Sequence, residues 1–226
     1  MKGMTTMTPN LERAAAAAAE TLIRYNITSA PVDPLPILKK YKNVLVLSYT
    51  EMSYRTGIDR DNLVTMYGAE NQDAVTLVRQ MDNHLMYFVA YNQRLPFYML
   101  QRALARELGH IVLGHDGSRP DDVRMAEAVC FARHFLCPRP LIKSLMDADK
   151  RITSELIGNV TGCYERCLAG IKKTPGTHVP GELNRKVREQ FADYVRNFLS
   201  YEAIAQYEDD SAEVDFGTYM DYYTEE

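Results

Sequence analysis

The chain lacks several features that would assign it to a class directly. It has four cysteines but no C-x-x-C pair, so we expect free thiols and no structural zinc knuckle. It contains no glycine-rich phosphate loop and no G-x-S-x-G motif. No apolar run approaches the roughly 20 residues of a membrane-spanning helix. The alanine run between Arg13 and Glu20 is not a signal-peptide pattern. We therefore expect a soluble, cytoplasmic protein with no membrane partner.

The chain also has little excess charge of either sign. The 26 Lys and Arg residues nearly balance the 30 Asp and Glu residues, and the formal net charge is −4. A charge of that size and sign gives no electrostatic reason to bind nucleic acid or an anionic membrane nonspecifically. Direct binding to nucleic acid is therefore not expected, and a length of 226 residues suits one main buried core.

The hydrophobic pattern predicts a small sheet followed by helices. Strands are predicted at 43–49, 74–79 and 84–91, and the first reads as buried on both faces. One long helix is predicted from after Pro96 to about Leu113, where Gly114 ends it, and a second is predicted at about 121–136. The predicted fold class is α+β, with a three-stranded sheet packed on these two helices and a helical C-terminal portion.

Three parts of the chain are predicted to differ in organisation. Residues 1–140 form the main domain, and residues 141–205 form a helical extension. Its segment 159–162 resembles a helix-turn-helix connection, but the following helix has few basic residues, which favours a structural or partner-binding role over DNA binding. The end of the chain, 206–226, is acidic without any Lys or Arg, and we expect it to be mobile.

The most informative run is Arg-Glu-Leu-Gly-His at 106–110. In an H-E-x-x-H zinc peptidase helix, two histidines one turn apart bind the metal and the Glu polarises a bound water. Here Arg106 stands in the first histidine position, and a protonated guanidinium has no lone pair for a metal. On the next helix, Glu127 lies between two alanines, which would allow close approach to His110.

These motifs together resemble the ImmA/IrrE family, also called the IrrE N-terminal-like domain, whose members are HExxH zinc peptidases that typically cleave or inactivate a repressor. The resemblance is carried by residues 87–96 and 104–115, and by the segments Ala-Glu-Ala-Val-Cys-Phe-Ala at 126–132 and Phe-Leu-Cys-Pro at 135–138. It implies a zincin-like fold for residues 1–140. Val129 and Cys137 stand where the family has Asn and Met.

Carried over by position, the resemblance implies a metal site that is incomplete in this chain. His110 matches the second histidine ligand, Glu107 the general base and Glu127 the acidic third ligand. Arg106 takes the place of the first histidine ligand. Zinc is therefore the implied cofactor, and whether the chain can bind it is the main question that the sequence raises.

Three arrangements of Arg106 follow. In the first, its guanidinium replaces the cation and bridges Glu127, with Glu107 as a second partner. In the second, Arg106 turns outward and His110, Glu127 and Glu107 hold a harder ion such as manganese. In the third, another histidine completes a zinc site, and the candidates are His115 and His134.

The two candidate histidines differ in position. His115 lies about 140° round the helix from His110 if the helix continues, so a helix-capping role is favoured for it. His134 lies two turns beyond Glu127 and shares its helix face.

The function expected from the resemblance is regulatory. We expect a non-catalytic or strongly impaired relative of the zinc peptidases that binds a cytoplasmic protein, such as a transcriptional repressor, by strand addition beside strand 84–91. The alternative is an active metallo-endopeptidase with rearranged metal ligands, in which Glu107 remains the general base.

Overall fold

The structure is a computed structural model that describes residues 7–67, 73–82, 84–148, 152–162 and 177–198. The strands are β1 (Val44–Ser48), β2 (Ala74–Met81) and β3 (His84–Tyr91). The helices are α1 (Leu11–Arg24), α2 (Leu35–Leu38), α3 (Tyr49–Thr56), α4 (Arg60–Tyr67), α5 (Phe97–Val112), α6 (Asp121–Leu136), α7 (Arg139–Ala148), α8 (Ser154–Thr161), α9 (Gly181–Gln190) and α10 (Ala192–Phe198).

The three strands form one mixed sheet in the order β1-β3-β2. β1 runs parallel to β3, with Val46 opposite Val89, and β2 runs antiparallel to it, with Val78 opposite Tyr87. β3 is therefore the central strand, and both of its edges are already hydrogen-bonded. The expectation that a partner adds a strand beside 84–91 is wrong, because in the sheet of the described residues only β1 and β2 have an edge left for such pairing.

One face of the sheet packs on the helices and the other is partly open. Tyr87 and Val89 are buried in the main core, whereas Leu45 and Leu77 on the opposite face are 37% and 36% exposed. The expectation that the first strand is buried on both faces is therefore wrong. Its continuous apolar run does not distinguish a buried strand from one that lies at the sheet edge.

Two helices that the sequence did not predict follow β1. The side chain of Ser48 accepts a hydrogen bond from the Glu51 backbone N–H, and the Glu51 carboxylate accepts one from the Ser48 backbone N–H. This capping box starts α3 directly at the end of the strand. The Ser-x-x-Glu spacing was the available signal for it.

The main core is formed by α1, α5 and α6 against the sheet. Four alanines of α1 are almost fully buried, and their small side chains let α1 pack closely on α6. The same core includes Val187, Phe191 and Phe198, so helices on both sides of residue 140 share it. Within the predicted helical extension, α9 and α10 follow each other with a break at Phe191.

Several expectations lie partly or wholly outside the described residues. They include the helix expected to follow the segment 159–162 and the acidic tail at 206–226. Among the cysteines, Cys130 is free and buried, but Cys137 is disulfide-bonded, so the expectation of a free thiol is wrong at that position. No helix of the described ranges has the length and apolar character needed to cross a membrane.

The contact between α5 and α6 is closest at Gly109. A Cβ atom added there would lie 3.1 Å from Phe131 Cδ1 and 3.2 Å from both the Cα and the carbonyl oxygen of Ala128. The backbone of α6 cannot move away as a flexible side chain could. Gly109 therefore sets how near the motif helix lies to Glu127 on the neighbouring helix.

We expect Gly109→Ala to lower the free energy of unfolding by about 1–2 kcal/mol, because overpacking costs about 1–3 kcal/mol and the gain in helix propensity returns up to about 1 kcal/mol. Urea unfolding followed by circular dichroism measures this. Gly181→Ala is the matched control, since nothing lies within 4 Å of a Cβ atom in that helix. Equal stabilisation by both substitutions would contradict the close contact.

Candidate functional site

Helix α5, which carries the Arg-Glu-Leu-Gly-His run, ends in a turn that brings the chain back toward the last turn of the helix. Gly114 adopts φ +67° and its N–H donates to the Ile111 carbonyl oxygen, while the His115 N–H donates to the His110 carbonyl oxygen at 2.9 Å. This is a Schellman motif, in which a left-handed residue closes the helix. His115 therefore does not continue round the helix, and its ring comes back beside His110.

Three side chains form a hydrogen-bonded row at this point. Nδ1 of His110 lies 2.9 Å from Nδ1 of His115, and Nε2 of His115 lies 2.9 Å from Oε2 of Glu127. The two rings meet edge to face, with centroids 5.0 Å apart. The structure thus brings together the predicted pair His110 and Glu127, but His115 lies between them.

Glu127 is the most enclosed charged group of the row, with no exposed surface. Its Oε1 accepts the backbone N–H of Asn10 at 2.8 Å, and Nη1 of Arg119 donates to Oε1 at 3.0 Å and to Oε2 at 3.2 Å. Burial alone would raise the pKa of Glu127, but the Asn10 amide, His115 and Arg119 together hold it below its usual range. Glu127 is therefore an ionised carboxylate with a full set of donors.

The ionised state of Glu127 fixes the protons on both rings. An ionised carboxylate only accepts, so Nε2 of His115 carries the proton that it donates. Burial lowers the pKa of His115, and the neutral ring then has a lone pair on Nδ1. Nδ1 of His110 must donate to that lone pair, which leaves Nε2 of His110 as an unprotonated nitrogen.

Of the two partners expected for Arg106 in the first arrangement, the structure brings Glu107 against it. Its Nε donates to Oε1 of Glu107 at 3.0 Å, and its Nη2 lies 3.0 Å from the same oxygen. Nη2 also donates to the Ala74 carbonyl oxygen of β2 at 3.1 Å. Arg106 therefore joins α5 directly to the edge of the sheet at Ala74, while Glu107 holds its guanidinium. No contact of the described residues joins it to Glu127, whose cationic partner is Arg119.

Glu107 is 3% exposed. Burial raises its pKa, and the charge of Arg106 acts most strongly against that rise. A buried carboxylate that is held by a guanidinium and by the edge of a strand is not free to take a proton from a water molecule. In this arrangement Glu107 acts as an anchor for Arg106.

The donor set does not fit the zinc site that the family resemblance implies. Within the described ranges, no three His, Cys, Asp or Glu side chains are grouped so that they could hold a metal ion. His115 already uses one ring nitrogen on His110 and the other on Glu127. A metal at this point would have to replace one of those two contacts.

His134 lies apart from the row. Its ring is 7% exposed and lines a groove on the outer side of α6 together with Cys130. Burial lowers its pKa to about 4, and the charges of Arg139 and Arg133 add to this effect. Within the described residues, no hydrogen bond connects His134 to His110 or Glu127.

Sequence reasoning missed three groups that shape the site. Arg119 comes from the loop between α5 and α6, Asn10 contributes a backbone N–H at the start of α1, and Ala74 contributes a carbonyl oxygen. A buried acid that lacks a metal needs a cation, and the loop that precedes α6 was the nearest place to look for one. The two backbone groups left no signal in the sequence.

The row predicts the tautomers of the two rings. We expect His110 to carry its proton on Nδ1 and His115 to carry its proton on Nε2, because Glu127 is ionised. Long-range ¹H–¹⁵N NMR of the imidazoles reports this directly. Since burial lowers the pKa of His110 to about 3, its signals should not titrate between pH 7 and pH 5. A protonated Nε2 on His110 would contradict the row.

The buried histidines also predict how stability depends on pH. His134, with a pKa of about 4, is neutral in the folded protein where the unfolded ring, with a pKa near 6.5, is already protonated. The unfolded state then binds more protons, so the free energy of unfolding falls as the pH drops from about 6.5, by up to about 1.4 kcal/mol per pH unit for each such ring.

Urea unfolding between pH 7 and pH 5 tests this. His134→Gln should reduce the slope of stability against pH, because one proton fewer is taken up on unfolding. His84→Gln is the control, since that side chain is exposed at the start of β3. An unchanged slope in His134→Gln would mean that the ring is not held neutral.

Comparison of this chain with protein-family models, with curated proteins and with solved structures finds no significant match.

Proposed function

We propose that this protein is a regulatory, protein-binding relative of the ImmA/IrrE peptidases in which two arginines take over the charge-balancing role of the metal. The observation that supports the proposal most strongly is the contact of Arg106 with both Glu107 and the Ala74 carbonyl oxygen. This contact occupies both the carboxylate expected to act as general base and the backbone carbonyl at the start of β2. The partner proposed is a cytoplasmic protein such as a transcriptional repressor.

The outer edge of β2 is the proposed binding surface. The Asn92 N–H donates to the Asp73 carbonyl oxygen, and the antiparallel register continues from there. Bonded pairs recur at every second residue, so 75, 77 and 79 face β3, while 74, 76, 78 and 80 turn their backbone groups outward. The bond from Arg106 to the Ala74 carbonyl oxygen agrees with this assignment.

The Thr76 backbone N–H already donates to Glu107, so an extended segment of a partner can pair with this edge from residue 78 onward. Strand addition obtains its affinity from backbone hydrogen bonds and its specificity from alternate side chains. On the β2 side these include Leu77, Arg79 and Met81, all of which are exposed. The segment would meet the paired Arg106 and Glu107 at its end, and it requires no metal there.

One observation favours the alternative, an active metallo-endopeptidase with rearranged ligands. His115 lies 2.9 Å from both His110 and Glu127, so a histidine at a position other than 106 is already beside the two implied ligands. This reading requires His115 to release one contact and Glu107 to leave Arg106. The two readings differ in the metal content of the purified protein.

We expect Arg106→His to carry more zinc than the unaltered protein when both are purified from zinc-supplemented growth, because the change removes a fixed charge and adds a ligand at i−4 from His110. Elemental mass spectrometry measures the ratio. Arg102→His makes the same change one turn earlier on the exposed side of α5 and is the control. Near-stoichiometric zinc in the unaltered protein, or an activity that Glu107→Gln abolishes, would favour the peptidase instead.

Strand addition predicts a specific loss on Val78→Pro. Proline removes an N–H that faces outward and is not used in the sheet, so the fold is retained while the partner loses a hydrogen bond. Val78→Ala is the matched control, since both variants lose the valine packing and only one loses the N–H. The partner is captured with the unaltered protein in its host and then purified.

Calorimetry with the purified partner compares the two variants. We expect Val78→Ala to bind nearly as the unaltered protein does and Val78→Pro to bind at least about tenfold more weakly, which corresponds to about 1.4 kcal/mol. Equal affinities would place the partner elsewhere on the surface. Circular dichroism confirms that each variant is folded.

A further inference from the structure

A groove runs along the outer side of α6, away from Glu127. Its volume is about 430 Å³, and Leu11 at the start of α1 forms one wall. Besides His134, the α6 residues that line it recur at helical spacing and cover nearly the whole helix: Asp122, Met125, Ala126, Val129, Cys130 and Arg133. We refer to these six residues as the outer stripe.

The middle of the outer stripe is apolar and partly open to solvent. Met125 is 36% exposed, and Ala126 and Val129 are half-buried. The opposite side of α6 is already packed, because Ala128 contacts Gly109 of α5. The small side chain of Ala126 is not needed for that contact, so it leaves room for a second helix on the open side.

The two ends of the outer stripe carry opposite charges. Asp122 lies in the first turn of α6 and Arg133 in the last, and their 11-residue separation corresponds to about 16 Å along the helix. Within the described residues, no ion pair or hydrogen bond engages either side chain. A partly exposed apolar surface, of which Cys130 is the buried member, with one unpaired charge at each end is suited to an interface.

The pattern is complementary to itself when it is reversed. If two copies of α6 lie antiparallel, Asp122 faces Arg133 of the other copy at both ends, while Met125 faces Cys130 and Ala126 faces Val129. A two-fold axis requires this property, because each surface must match its own inverted image. A single unrelated partner has no such requirement.

We propose that the outer stripe is the contact between two copies of this chain, with their α6 helices antiparallel about a two-fold axis. The occupant of the groove is the Met125–Val129 segment of the second copy. This surface lies on the other side of α6 from the proposed binding edge of β2, so it holds independently of the proposed function. One helix face gives a small interface, and the dimer is expected to form in the micromolar range.

Sedimentation velocity across a concentration series tests the charge pairing. Asp122→Arg gives each copy two positive ends and Arg133→Asp gives each copy two negative ends, so each variant should raise the dimer dissociation constant by at least about tenfold. The double variant restores both pairs and should dimerise nearly as the unaltered protein does. Asp147→Arg is the control, because it makes the same charge reversal at an exposed position on α7.

The mixture of the two single variants gives the sharpest result. The introduced arginine of one copy then faces the introduced aspartate of the other, and the native Arg133 of the first copy faces the native Asp122 of the second. A mixed dimer should therefore form at a concentration at which neither variant dimerises alone. A misfolded variant cannot regain binding in this way. A monomer at every concentration, or a dimer that the charge changes leave unaltered, overturns the proposal.

Discussion

The site depends on one buried charge, the Glu127 carboxylate. A carboxylate with no exposed surface is stable only when donors surround it, and here the donors come from three parts of the chain: the start of α1, the turn after α5 and the loop before α6. Asn10, His115 and Arg119 are each held in place by this one group. The carboxylate thus fixes the relative positions of three segments that no strand or disulfide joins.

The second buried acid, Glu107, fastens the same helix to the sheet. Arg106 lies between Glu107 and the Ala74 carbonyl oxygen, so α5 is tied to β2 by charge at one turn and to α6 through His110 and His115 at the next. The two acids lie in separate networks with separate arginines. This division explains why the expected bridge from Arg106 to both acids is not formed.

The sequence predicted the parts of this site that depend on regular geometry. Helical spacing placed Glu107 and His110 on α5 and Glu127 on α6, and the predicted limits of both helices agree closely with the structure. The prediction from helical spacing was wrong for His115, because the chain leaves helical geometry at Gly114. The left-handed turn at Gly114 sends His115 back toward His110. The strand order could not be read either, because a chain pattern does not say which strand is central.

The formal charges of the site balance one another without a metal ion. Counted in their ionised forms, the carboxylates of Glu107 and Glu127 are balanced by two guanidiniums, Arg106 and Arg119, while burial lowers the pKa of both His110 and His115 and favours their neutral rings. A zinc ion would supply the same two positive charges. If it entered beside both arginines, the site would hold an excess of positive charge at low dielectric, which is costly. Under the proposed function, a metal would therefore enter only if a guanidinium left, and a single arginine substitution would change the charge balance as well as the ligand set.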